Sequence, residues 1–230
     1  MFRGREILKT TALTTLTLVL LLTGCIFSPS KEDVRIDPPA PEKICKPDDL
    51  IKTLEFAYRE RLIEKFAPLL ANDPEHKAEY IFRLADDPTG QLSWGYTEEV
   101  RIHRRMFDPA NPQPGEPEVP TEYWLTAIDI SLSQVTPWTE RNDLYFDPDN
   151  PDLNPNGLDK NKWKALDSRF STHVFFDTQT DNDFLVEGEA IFVVIEDLEK
   201  TDCAPGQFLL LEWKDIDVQN PKPAVANTPS

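Results

Sequence analysis

His103, Asp129, Asp177 and the run from Asp152 to Gly157 are the side chains whose types and spacing suit chemistry. Tyr96, Val100, His103 and Phe107 recur at helical spacing, so the imidazole shares a face with apolar residues. An imidazole bordering a pocket titrates near neutral pH and serves as a general base or acid. The other reading is a helix-edge histidine bonded to a backbone carbonyl. Asp129 and Asp177 lie in strand-like runs. A catalytic carboxylate there needs an apolar wall and a raised pKa, yet a register slip of one residue turns it to solvent. Asp152, Asn154 and Asn156 before Gly157 imitate the first half of a calcium loop. The second half departs from that pattern: Trp163 stands at the twelfth position, where a bidentate carboxylate is needed, and Asp159 replaces the usual apolar residue. Ordinary Asx and Pro turn chemistry is therefore the expectation for this loop, with no metal.

Other chemistries find little footing. His76, His103 and His173 lack zinc-type spacing. There is no Gly-rich phosphate loop, Gly-x-Ser-x-Gly elbow or Cys-x-x-Cys, and no cofactor is expected. With 24 Lys+Arg against 41 Asp+Glu, the net charge is −17. Nucleic acid is excluded as a partner by charge, and so is attraction of the domain to an anionic lipid surface. Trp138 and Trp163, flanking residues 139–163, either line a binding site or pack its base.

The elements that must position these residues fall in two groups. Pro47-Asp48-Asp49 opens a helix, with an Asp side chain free to cap it, and Leu50, Ile51, Leu54, Ala57, Tyr58 and Leu62 follow its period. A short helix is expected from Ile63 to Leu70, interrupted by Pro68, and a short strand from Tyr80 to Leu84. The helix from Thr97 to Phe107 has Glu98 and Glu99 at its start and Arg104 and Arg105 at its end, matching the helix dipole. After a Pro/Gly-rich loop, Tyr123 to Leu132 alternates with period two. His173 to Gln179, Phe184 to Glu196 and Phe208 to Asp217 supply further strands. The run Phe208-Leu209-Leu210-Leu211 has no polar face, so part of the sheet is expected to be covered on both sides. Helices first and a meander after give an α+β order.

The N-terminus carries a different message. Arg3, Arg5 and Lys9 precede a short apolar run ending in Leu22-Thr23-Gly24-Cys25. This order of a basic start, a short apolar core and a cut site is that of a secretory signal. The cut site resembles the lipobox of bacterial lipoproteins, which implies cleavage after residue 24 and lipidation of Cys25. The remaining 206 residues would carry 21 Lys+Arg against 40 Asp+Glu, net −19. Attachment to the membrane would then come through the lipid, in the cell envelope; Ile26 after the cysteine resembles sorting to the periplasmic face of the outer membrane in a Gram-negative host. With Cys25 lipidated in an oxidising compartment, Cys45 and Cys203 are left as a candidate disulfide, the alternative being one buried and one exposed thiol. Residues 25–47 read as a Pro-rich tether, 48–217 as the folded domain with a loop insertion at 139–163, and 218–230 as a disordered tail.

Several short stretches of the folded part carry a further resemblance. They are Leu54-Glu55-Phe56-Ala57-Tyr58 leading into Ile63-Glu64-Lys65-Phe66-Ala67-Pro68-Leu69-Leu70, then Trp94-Gly95-Tyr96-Thr97-Glu98-Glu99. Val186-Glu187-Gly188-Glu189-Ala190-Ile191-Phe192 and Leu211-Glu212-Trp213-Lys214-Asp215 close the series. In order and spacing the chain resembles the nuclear-transport-factor-2-like (SnoaL-like, cystatin-like cone) superfamily. The resemblance implies an α+β fold in which a curved antiparallel sheet wraps about three N-terminal helices, with a pocket at the wide end. It leaves three functions open: binding of a small apolar ligand or a partner without catalysis, isomerase or cyclase chemistry using His103 with Asp129 or Asp177, and homodimerisation through the outer sheet face. The non-catalytic binder is preferred, because no catalytic residue of such enzymes is matched by a motif here.

Overall fold

A proline and two aspartates open the first helix. In the computed structural model, which describes residues 40–84, 93–149, 154, 156–179, 183–200, 203, 206–218 and 222–223, α1 spans Pro47–Arg59. Pro47 loses nothing by lacking an N–H at the first turn, and Asp48, Asp49 and Arg59 match the dipole at the two ends. The N-cap is Lys46, which makes no side-chain cap; Asp48, expected to be free for capping, accepts a 2.9 Å hydrogen bond from Trp138 Nε1. After α1 the chain turns through Arg61, whose φ of 54° is left-handed. Helix α2, Ile63–Phe66, gives way to a 3₁₀ turn at Ala67–Leu69, because Pro68 cannot continue the α-helical bonding.

A small hairpin follows, β1 (Asn72–Asp73) with β2 (Ala78–Glu79), and then β3 (Ile81–Arg83), β4 (Ser93–Gly95) and helix α3 (Tyr96–Phe107). Next come β5 (Leu125–Gln134), β6 (Thr139–Glu140), β7 (Trp163–Thr178), β8 (Phe184–Asp197), β9 (Gln207–Val218) and β10 (Lys222–Pro223). From β3 onward the strands form one sheet in the order β4-β3-β9-β8-β7-β5, with β6 beside β7 and β10 beside β8. The class is α+β as read. Its pairs are antiparallel except β3 beside β9, which run parallel. Within the tail, Lys222 and Pro223 pair with Leu185 and Phe184. The leader and Cys25 lie outside the described residues.

Both faces of the sheet are used. One packs Ile128, Ile130, Phe170, Phe192 and Leu210 against α1 and α3. On the other, Trp163, Ala165, Val193, Ile195 and Leu211 pack beneath Ala71, Ala78 and Leu158. The cover is the β1–β2 hairpin together with the segment after β6, where Phe146 N–H donates to Leu158 O at 3.0 Å and Leu158 N–H to Leu144 O at 2.8 Å. Double coverage also explains β7, of which the expected His173 strand is only the end: from Trp163 both faces carry buried residues, so no simple alternation marks its first half.

Irregular pairing shapes the inner face. Between β8 and β9 the register shifts between Val193 and Val194 and again between Glu189 and Ala190. The first bulge lets Trp213 and Asp215 join Phe208 and Leu210 on the inner side, although their numbers differ in parity. Cys45 and Cys203 are joined as a disulfide with Cα atoms 5.1 Å apart, fastening the entry to α1 to the β8–β9 connection.

The cover depends on one close approach. A Cβ at Gly157 would lie 2.3 Å from Phe146 N and 2.5 Å from the Tyr145 carbonyl carbon, both backbone atoms. Gly157→Ala is therefore expected to lower the urea midpoint by an amount equivalent to about 1–3 kcal/mol of overpacking. An unchanged midpoint would mean that the cover moves aside at no cost.

Candidate functional site

Glu98 and Glu99 stand side by side in the first turn of α3 and have opposite fates. Glu98 grips Arg101 through Nε at 2.8 Å and Nη2 at 2.5 Å, and that guanidinium lowers its pKa. Glu99 turns inward and is 2% exposed. Its Oε1 accepts from the Tyr80 hydroxyl at 3.2 Å and its Oε2 from Trp94 Nε1. Burial pushes the carboxyl up to about 7 despite these two donors. Near it, Asp215 is pushed by burial to about 6 while accepting from Trp213 Nε1 at 2.8 Å.

One turn after Glu99, His103 stacks on Phe66 with ring centroids 4.0 Å apart and meets Tyr58 and Phe107 edge to face. Its Nδ1 lies 3.0 Å from Glu99 O and its Nε2 2.5 Å from the Tyr58 hydroxyl. A carbonyl only accepts, so Nδ1–H donates to it and Nε2 accepts from Tyr58. Burial lowers the imidazole to about 4. Both ring nitrogens are engaged inside the core, the arrangement of a histidine bonded to a backbone carbonyl.

The two aspartates do not meet this histidine. Asp129 pairs across from Phe175 and Asp177 across from Ala127, on the face opposite to Ile128, Val174 and Phe176. Asp129 is exposed, and the sheet stands between these carboxylates and His103. In the Asp/Asn loop, Asn154 donates to Asp143 O at 3.3 Å, Asn156 is exposed, and Asp152 lies outside the described residues. Among the described residues no three potential metal ligands gather. Trp163 is buried in the outer-face core, and Trp138 packs beside Phe170.

A cavity of about 720 Å³ opens where β5 begins, β7 ends and β8 starts. Met106, Leu125, Phe176 and Phe184 form its apolar wall, the two phenylalanines stacked at 4.6 Å. A bulge between Leu125 and Ala127 sets Leu125 opposite Thr178, which also lines the space. Tyr123, 69% exposed, sits at its edge. Arg105 enters from the last turn of α3: Nη2 reaches Pro117 O at 3.5 Å, and Nε is buried without a hydrogen-bond partner. Glu122 is the carboxylate of the lining and is exposed.

No protein-family model and no curated protein matches the chain. Solved structures resemble it in outline. A conserved protein from Planctomyces limnophilus has 10% identity and a TM-score of 0.47, covering 76% of this chain and 94% of that one. Hexachlorocyclohexane dehydrochlorinase (LinA) type 2 has 7% identity and a TM-score of 0.41, covering 78% and 86%. A protein from the NTF2-like family of Streptomyces avermitilis has 8% identity and a TM-score of 0.42, covering 74% and 91%. Likeness at this level assigns no activity or substrate to this chain.

Sequence reasoning read Glu99 and Arg105 only as partners of the helix dipole. For Glu99 a signal was present: it lies four residues before His103, hence on the same inward face. For Arg105 none was, since its partner surface comes from strands far along the chain. The buried groups also set a pH dependence. Glu99, raised from 4.5 to about 7, contributes stability that is full below pH 4.5 and lost as pH rises through 7. Asp215, raised from 3.8 to about 6, acts in the same direction. His103, lowered from 6.5 to about 4, acts oppositely, its contribution lost as pH falls through that range. Urea unfolding of Glu99→Gln should gain on the parent by about 3 kcal/mol between pH 4.5 and 7. A difference that stays level across this window would show that the Glu99 carboxyl titrates as it does in the unfolded chain.

Proposed function

We propose that this chain is an exported lipoprotein, acylated at Cys25, whose domain binds a small apolar ligand without chemical turnover. The observation that carries the binding reading is the cavity at the open end of the sheet. Its volume of about 720 Å³ and its wall of Leu125, Phe176, Phe184 and Met106 suit a compact apolar molecule. Export is supported by the Leu22-Thr23-Gly24-Cys25 cut site and by a disulfide between Cys45 and Cys203, a bond suited to an oxidising compartment. On this reading residues 1–24 are removed, residues 25–47 hold the domain off the membrane, and the domain ends near residue 217. The protein resides in the cell envelope, on the periplasmic face of the outer membrane in a Gram-negative host, and has no nucleic-acid partner.

The catalytic alternative draws on Glu99, whose pKa of about 7 suits an acid–base group. That carboxyl is fully enclosed and already holds Tyr80 and Trp94. Dimerisation through the outer sheet face draws on apolar residues of β8 and β9, yet Val193, Ile195 and Leu211 are buried beneath this chain's own cover. Farther along that face, a cross-strand ion pair joins Arg169 to Glu189, and His173 Nδ1 lies 3.1 Å from Glu187 Oε1.

Two measurements test the two halves of the proposal. After cell fractionation, Cys25→Ser should move the chain out of the membrane fraction; retention there would defeat lipid anchoring. In calorimetry on the full chain in lipid nanodiscs, with empty discs as the blank, 4-phenylbutanol should bind one saturable site. Phe184→Glu should weaken that binding by about tenfold or more, as burying a charge in an apolar wall requires. Lack of saturable binding to the parent would rule out the cavity as a ligand site.

A further inference from the structure

We infer that the cavity selects apolar acids, with a carboxylate held by the Arg105 guanidinium and a hydrocarbon or aromatic body lying against Phe176 and Phe184. The inference rests on the binding reading of the cavity and narrows it to a ligand class. Arginine is protonated at every physiological pH, so Arg105 keeps its charge however apolar its surroundings. Among the described residues it forms no ion pair, in a chain that holds 41 acidic residues against 24 basic ones. Some other arginines are paired with carboxylates, Arg83 with Glu212 at 2.8 Å and Arg141 with Asp143 at 2.7 Å and Asp167 at 3.0 Å, whereas Arg61 donates to Leu125 O at 2.7 Å.

Among the described residues Arg105 has instead a single long contact, from Nη2 to Pro117 O at 3.5 Å, and its Nε–H is buried with no acceptor. The terminal N–H groups of a guanidinium are charge-assisted donors, and a carboxylate accepts from two of them at once. A neutral ligand of the same shape offers a weaker acceptor. Glu122, also in the lining, is exposed and engaged in a contact of its own, so water screens its repulsion of a bound acid. Met106, next to Arg105 on α3, and Leu125 place apolar surface beside the head group. An amphiphile therefore has both its parts matched, the acid at the helix end and the body across the stacked pair.

The test compares 4-phenylbutyrate with its neutral amide, 4-phenylbutyramide, by calorimetry on the full chain in nanodiscs near pH 7.5. The parent should bind the acid at least about tenfold more tightly than the amide. Arg105→Gln should erase that preference by weakening the acid about tenfold or more and the amide far less, and Arg105→Lys should keep part of it as a point charge. Equal affinities for acid and amide in the parent would overturn the inference and leave the cavity reading intact. A preference that survives in a folded Arg105→Gln protein would overturn it as well. Binding of neither compound to the parent would remove the cavity reading itself, and the inference with it.

Discussion

A carboxyl group enclosed in an apolar core must be satisfied on every side, and Glu99 is that group here. Its two donors come from separate places, Tyr80 at the entry to β3 and Trp94 in β4, so satisfying it fixes the first turn of α3 against the edge of the sheet. His103, one turn on, extends the constraint to α1 through Tyr58 and to α2 through Phe66. A buried polar network of this kind is worth having only when complete, because each unpaired member would cost several kcal/mol. With the start and middle of α3 held in this way, its last turn is delivered to one place. That turn carries Arg105 and Met106, and it ends at the open edge of the cavity.

The sheet solves a second problem with the same economy of parts. Strands β7, β8 and β9 are apolar on both faces along part of their length, and an uncovered outer face would invite association with other chains. The β1–β2 hairpin and the segment between β6 and β7 close it, and Gly157 permits the backbone contact on which that closure turns. Among the segment's described residues Phe146 N–H donates to Leu158 O, Asp149 N–H to Asp147 Oδ1 and Gly157 N–H to Asn154 O, the last two being turn contacts of the kind Asp and Asn favour. Where the cover stops, the outer face becomes polar, with Arg169 paired to Glu189 and His173 beside Glu187.

What was legible in the residues, and what was not, follows from locality. Helices α1 and α3 could be read because one solvated face leaves a period in the sequence, and β5 because one of its faces is wet. The first half of β7 could not, since burial on both sides erases the alternation. Asp215 was invisible for another reason: a bulge in β9 changes which parity faces inward, and no residue pattern announced it. The candidate site was the least legible part. His103 was found by its spacing, but its partners Tyr58 and Glu99 make it a member of the core. The cavity gathers α3, the loop after it and the ends of three strands, so its lining exists only once the tertiary fold does.

The contrast between the two polar sites decides where function belongs. Glu99, His103, Tyr80 and Tyr58 are chemically able, with pKa values moved by burial, but each of their partners is another residue of the same cluster. A perturbed pKa marks an active group only when substrate can reach it, and structural networks perturb pKa values equally well. Arg105 presents the reverse case. Its chemistry is simple, a fixed positive charge, yet it lines open space and has no ion pair among the described residues. A guanidinium so placed attracts an acid that enters the cavity. The cluster around Glu99 thus serves to place α3, and the helix in turn places Arg105 at the cavity.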